Sequence, residues 1–144
     1  MKQLLLALGL FAAIPSLHAA ACIAYEPTHV FLRGDLLRKT FPGPPGFESV
    51  ADGDQPQTGF YLRLPTPICM RDGAKDSDNA AKTDVQLLQL LLDKESYLRL
   101  GKKLGTTITV KGTLSAPWNG NHHGDLLMDV DPLETSAVTK APVR

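Results

Sequence analysis

Thr106-Thr-Ile-Thr-Val-Lys-Gly-Thr-Leu114 alternates without a break. Ile108, Val110 and Leu114 fall on one side with Gly112 in the same register, and Thr107, Thr109, Lys111 and Thr113 fall on the other. Period two built largely from β-branched residues predicts a half-buried strand. A glycine at an inward position gives up its side chain where a strand bends sharply, as at the corner of a barrel. The same pattern recurs over residues 29–40, where Val30, Leu32 and Leu36 share a face with Gly34. Two strands, each bent at an inward glycine, point to a small closed barrel.

The chain has 144 residues and opens like a secretory leader. Lys2 supplies the positive end, residues 4–14 the apolar core, Pro15 a break, and Ala19-Ala20-Ala21 small residues for cleavage after Ala19 or Ala21. The apolar run is shorter than the roughly 20 residues that span a bilayer, and no later segment is apolar enough. A periplasmic or secreted protein is expected. Cleavage after Ala21 leaves 123 residues, enough for one domain. The expected plan is a leader at 1–21, a domain at 22–134 and a frayed tail at 135–144. Loss of Lys2 with the leader leaves 14 basic against 15 acidic residues. A near-neutral chain without a basic cluster is a poor partner for nucleic acid, whose phosphates dominate such affinity.

Cys22 and Cys69 are the only cysteines. An even count in an oxidising compartment predicts a disulfide between them. The alternative is a lipid anchor on Cys22, because Ala19-Ala20-Ala21-Cys22 is a weak lipobox.

Further along, Phe41-Pro-Gly-Pro-Pro-Gly-Phe47 excludes regular structure and sets a stiff loop. Gly59 opens a second strand, in which Phe60, Leu62 and Leu64 alternate with Tyr61 and Arg63. Pro65 and Pro67 are expected to end or edge its pairing, and residues 71–83 read as an exposed loop. Residues 84–92 fit both a buried strand and the start of a helix; we read a strand. Asp93 then caps a short helix over 94–104, with Tyr97, Leu98 and Leu104 inward and Gly105 ending it. Ala116-Pro-Trp-Asn-Gly-Asn-His-His-Gly124 is turn chemistry. The last strand, over 125–131, places Leu126, Met128 and Val130 inward and Leu127, Asp129 and Asp131 outward. Strand, strand, strand, helix, strand, strand is the order of the oligonucleotide/oligosaccharide-binding (OB) fold. The expectation is a mainly β, five-stranded OB-like barrel with one short helix and one disulfide.

Several motifs occur together in order: Val30-Phe-Leu-Arg-Gly-Asp-Leu36, Phe41-Pro-Gly-Pro-Pro45 with Phe47-Glu-Ser49, Gly53-Asp54, Leu62-Arg-Leu64 with Pro67-Ile-Cys69, and Val110-Lys-Gly-Thr-Leu114 before His122-His123 and Leu126-Leu127. In these the chain resembles a family of small exported bacterial proteins of unknown function. Ser115 stands where family members carry phenylalanine, and Asn121 where another histidine is usual. The resemblance implies export and fold, and supplies no catalytic residue.

In an OB fold the loops after the first and fourth strands flank the ligand groove. That places the partner-binding candidates Phe41, Phe47, Trp118, Asn121, His122 and His123 at one rim. Trp118 is either an exposed platform or a plug for the barrel. A metal alternative uses His122, His123 and Asp125, whose imidazoles and carboxylate suit zinc or copper. Asp129, Asp131 and Glu134 form an acidic patch of the solvated kind, and Asp72, Asp76 and Asp78 miss the calcium-loop spacing. Nucleophile, phosphate-loop and dinucleotide motifs do not occur. The expected protein is a monomeric, non-enzymatic binding module without cofactor. It would recognise a protein, as an inhibitor or immunity protein does, or an envelope glycan. The runner-up is a periplasmic metal or small-ligand carrier.

Overall fold

The computed structural model describes residues 21–75 and 77–133. Residues 1–20 of the leader expected over 1–21, Asp76, Glu134 and the tail expected over 135–144 lie outside the described residues. In chain order come β1 (His29–Pro42), a single 3-10 turn (Val50–Asp52), β2 (Pro56–Met70), β3 (Lys82–Leu91), α1 (Lys94–Gly101), β4 (Thr107–Ser115) and β5 (Leu126–Val130). The fold is mainly β, and its five strands close in a ring ordered β1-β2-β3-β5-β4. All pairs are antiparallel except β3–β5.

The two glycines mark where the ring turns. β1 pairs with β4 from His29↔Thr113 to Asp35↔Thr107, and with β2 from Asp35↔Arg63 onward. Gly34 sits at that changeover, where a Cβ would stand 2.5 Å from the Arg63 carbonyl oxygen. Gly112 opens the β4–β5 pairing opposite Val130, and a Cβ there would overlap the Asp129 carbonyl oxygen. At both corners a neighbouring backbone occupies the space of a side chain.

Inside the ring, Leu36, Leu62, Leu88 and Leu126 are register partners across β1, β2, β3 and β5, and all four are fully buried. Ile108, Val110, Leu114, Met128 and Val130 complete the wall from β4 and β5. Each buried leucine contributes about 1.5–3 kcal/mol relative to exposure.

The prolines of β2 do not end it. Pairing with β3 jumps from Arg63↔Leu87 to Ile68↔Val85, so Pro65 and Pro67 ride in a bulge where the ladder needs no N–H. The helix begins as expected, the Asp93 side chain accepting the Ser96 N–H at 2.7 Å. Its length and phase differ from expectation. It stops at Gly101, and its buried residues are Ser96 and Leu100. Tyr97 and Leu98 are 42% and 60% exposed, and Leu104 packs against the core from beyond the helix. Over two turns the (i, i+4) pair Ser96/Leu100 defines the inward face. Tyr97, one step round, lays its ring on Phe60 at 4.3 Å between centroids.

Cys22 and Cys69 form the expected disulfide, with sulfurs 2.03 Å apart. Ile23 then adds a parallel bridge to Met70. The bond occupies the Cys22 sulfur that a thioether lipid would need. No helix among the described residues is long and apolar enough to cross a membrane.

Candidate functional site

The connection from β1 to β2 is built around one carboxylate. Asp54 Oδ1 accepts the Gly46 N–H at 2.7 Å, and Oδ2 accepts those of Glu48 and Ser49 at 2.7 and 2.9 Å. These backbone donors, Ser49 foremost, hold the Asp54 carboxyl below the usual carboxylate range. The loop turns at Phe47, a non-glycine residue at φ 58°, and the turn leaves the Phe47 ring 42% exposed.

The connection from β4 to β5 folds back over the outer face of β2, β3 and β5. His123 stacks on Phe41, with ring centroids 4.7 Å apart and planes 6° from parallel. Its Nε2 lies 2.7 Å from Gln57 Oε1, and its backbone N–H donates to Gln89 Oε1 at 2.7 Å. Since Gln57 Nε2 donates to Asn121 Oδ1 at 2.6 Å, Gln57 Oε1 is the acceptor and His123 Nε2 carries the proton. Asp125 ends the loop by continuing the sheet with its side chain. Its Oδ2 accepts from Gln86 and Leu87, and its own N–H donates to the Leu87 carbonyl. Beneath this cover Tyr61 and Leu127 are 1% and 0% exposed, although both stand on the outward register.

The two loops touch. Gly120 lies against the Phe47 ring, where a Cβ would come within 3.2 Å, and the Gln57–Asn121 bond links the start of β2 to the second loop. Trp118 stands beside them, 67% exposed. Its backbone N–H donates to His122 Nδ1 at 3.3 Å, and its ring meets that imidazole edge-on at 4.5 Å. Burial first, then the neighbouring His123, lowers the His122 pKa, which favours the neutral ring that accepts at Nδ1.

The rim candidates are therefore brought together in pairs: Phe41 with His123, Trp118 with His122, Phe47 against Gly120. Trp118 is too exposed to plug the ring. His122, His123 and Asp125 each face a different partner. No group of three His, Cys, Asp or Glu side chains among the described residues could hold a metal ion. Asp131 is engaged elsewhere, 3.1 Å from Lys111 Nζ and 3.0 Å from His29 Nδ1. Gln57, Tyr61, Gln89 and Asp54 organise the site and were not among the site residues expected from the sequence, where Asp54 entered only through the Gly53-Asp54 motif. The one available signal was Tyr61, an aromatic on the polar side of a strand, two residues after a glycine.

A family described as a domain of unknown function (DUF4431) matches residues 87–134. The match runs from the middle of β3 through α1, β4, the covering loop and β5, about a third of the chain. No curated protein and no solved structure matches.

Proposed function

We propose that the five-stranded ring is an OB-type barrel and that the protein is an exported, non-enzymatic binding module. It acts in the periplasm or outside the cell and recognises a protein that it inhibits or an envelope glycan. The strand order β1-β2-β3-β5-β4, with its parallel β3–β5 pair, supports the OB reading. In such barrels the outer face of the second and third strands, flanked by these two loops, takes the ligand.

The observation that carries the reading is the joined rim. Two loops present exposed Trp118 and Phe47 on a framework already fixed by Asp54, by the Gln57–Asn121 bond and by the His123–Phe41 stack. Aromatic side chains held ready on stiff loops lose little entropy on binding and are preferred contact points. The disulfide, which persists only in an oxidising compartment, supports export.

The test is affinity capture from envelope extracts with wild type, Trp118→Ala and Phe47→Ala. The expected result is a specific partner retained by wild type and lost by both variants. Capture of the same set by all three proteins overturns the reading.

A further inference from the structure

A cleft of about 250 Å³ opens on the outer face beside the rim, lined by Gln57, Gly59, Tyr61, Gln89, Asn121 and His123. Its floor is Tyr61. Tyr61 is 99% buried by the loops and by Phe41, whose ring lies 5.4 Å away, yet its hydroxyl has no hydrogen bond to any described residue. No buried side-chain polar atom among the described residues lacks a partner, so this hydroxyl is the part of Tyr61 left open to the cleft. Desolvation also pushes the Tyr61 pKa up to about 12, so the hydroxyl is a neutral donor at any physiological pH.

The walls narrow the ligand class. The acceptor oxygens of the cleft amides each accept one bond already: Gln57 Oε1 from His123, Gln89 Oε1 from the His123 backbone, Asn121 Oδ1 from Gln57. The amide N–H donors are left in surplus, both of Asn121 and the second of Gln57. No Lys, Arg, Asp or Glu lines the cleft. Donors without net charge complement uncharged oxygens on a compact ligand. Next to the cleft, exposed Phe47 and Trp118 offer flat apolar surface.

We propose that this cleft is a subsite for one uncharged sugar ring of a glycan. Tyr61 Oη and the amides of Gln57 and Asn121 contact its oxygens, and the rim aromatics cover the neighbouring units. The proposal rests on the rim being a binding surface and deepens that reading by choosing glycan over protein. Gly59 is what keeps the cleft open. A Cβ there would make only ordinary contact, 3.5 Å from the Tyr61 ring and 3.7 Å from its hydroxyl, so a larger side chain fills the cleft without straining the strand.

Titration of the oxidised protein with tri-N-acetylchitotriose and with maltotriose, followed by amide NMR shifts, tests this. At least one sugar is expected to give saturable shifts centred on Gly59, Gln89 and Asn121. Tyr61→Phe, which removes only the hydroxyl, should weaken that binding about five- to tenfold, the value of one hydrogen bond. Gly59→Val should abolish it while leaving the shift dispersion of a folded protein. Two results overturn the proposal: neither sugar shifts these amides at millimolar concentration, or both variants bind like wild type. If the sugars fail while Trp118→Ala still loses a captured partner, the rim reading stands, a protein is its ligand, and only the sugar subsite falls.

Discussion

The ring buries side chains on two faces, by different means. Inside, Leu36, Leu62, Leu88 and Leu126 meet across four strands with no polar group among them. Outside, Tyr61 and Leu127 are as deeply buried, but what covers them is a loop held by hydrogen bonds and one aromatic stack. The interior is closed by the sheet itself, so nothing on it is free to do anything but pack. The outer face is closed by side chains that keep unused donors. Function is expected where burial depends on polar contacts, since those contacts can be exchanged for a ligand's.

Breaking the interior should have the largest effect. Leu62→Ala leaves a cavity among fully buried leucines and is expected to cost about 2–5 kcal/mol of unfolding free energy. Denaturant melts check it, with an unchanged m-value if the ring still unfolds as one unit. The outer cover should break more cheaply and locally. His123→Ala removes the stack on Phe41 and the bond to Gln57, together about 1–2 kcal/mol. Amide exchange should quicken around Asn121 and Leu127 while the protection of Leu62 and Leu88 is nearly kept. If His123→Ala instead lowers global stability as much as Leu62→Ala, the two faces are one cooperative layer and the contrast drawn here is wrong.

The same contrast explains what the sequence made legible. Alternation across 106–114 and 29–40, the inward glycines and the cysteine pair are local or pairwise signals, and each has its counterpart in the ring. Alternation also set Leu127 and Tyr61 on the face opposite Leu126 and Leu62, correctly, and carries no sign of a cover over that face. Their burial comes from the loop over 116–124, which begins 55 residues beyond Tyr61, and its cover is made by histidine, asparagine and glutamine. No period in the chain announces that. The helix phase was misread for a related reason. Eight residues carry too few apolar positions to fix a face, and the leucine at 98 outweighed the Ser96/Leu100 pair that packs. Trp118 and His122 were found by residue type alone, whereas their pairing depended on the loop's path.

The smallest effect separates the two faces by pH. The interior row carries no titratable group, so acid has nothing there to act on. On the β1–β2 loop, the Asp54 pKa is lowered in the folded chain, so the carboxylate's contribution is complete above the ordinary carboxylate value. It is lost as pH falls through the lowered folded value. The amides of Gly46, Glu48 and Ser49 should therefore keep their shifts through ordinary carboxylate titration and move only in stronger acid, ahead of any change at Leu62 or Leu88. In Asp54→Asn these amides should lose that pH response and sit at altered shifts throughout, because a carboxamide offers one acceptor oxygen where three donors converge. Movement of these amides at the ordinary aspartate pKa in wild type would mean that the loop is not held by this carboxylate. The rim would then not be set in advance for a ligand, however stable the ring beneath it.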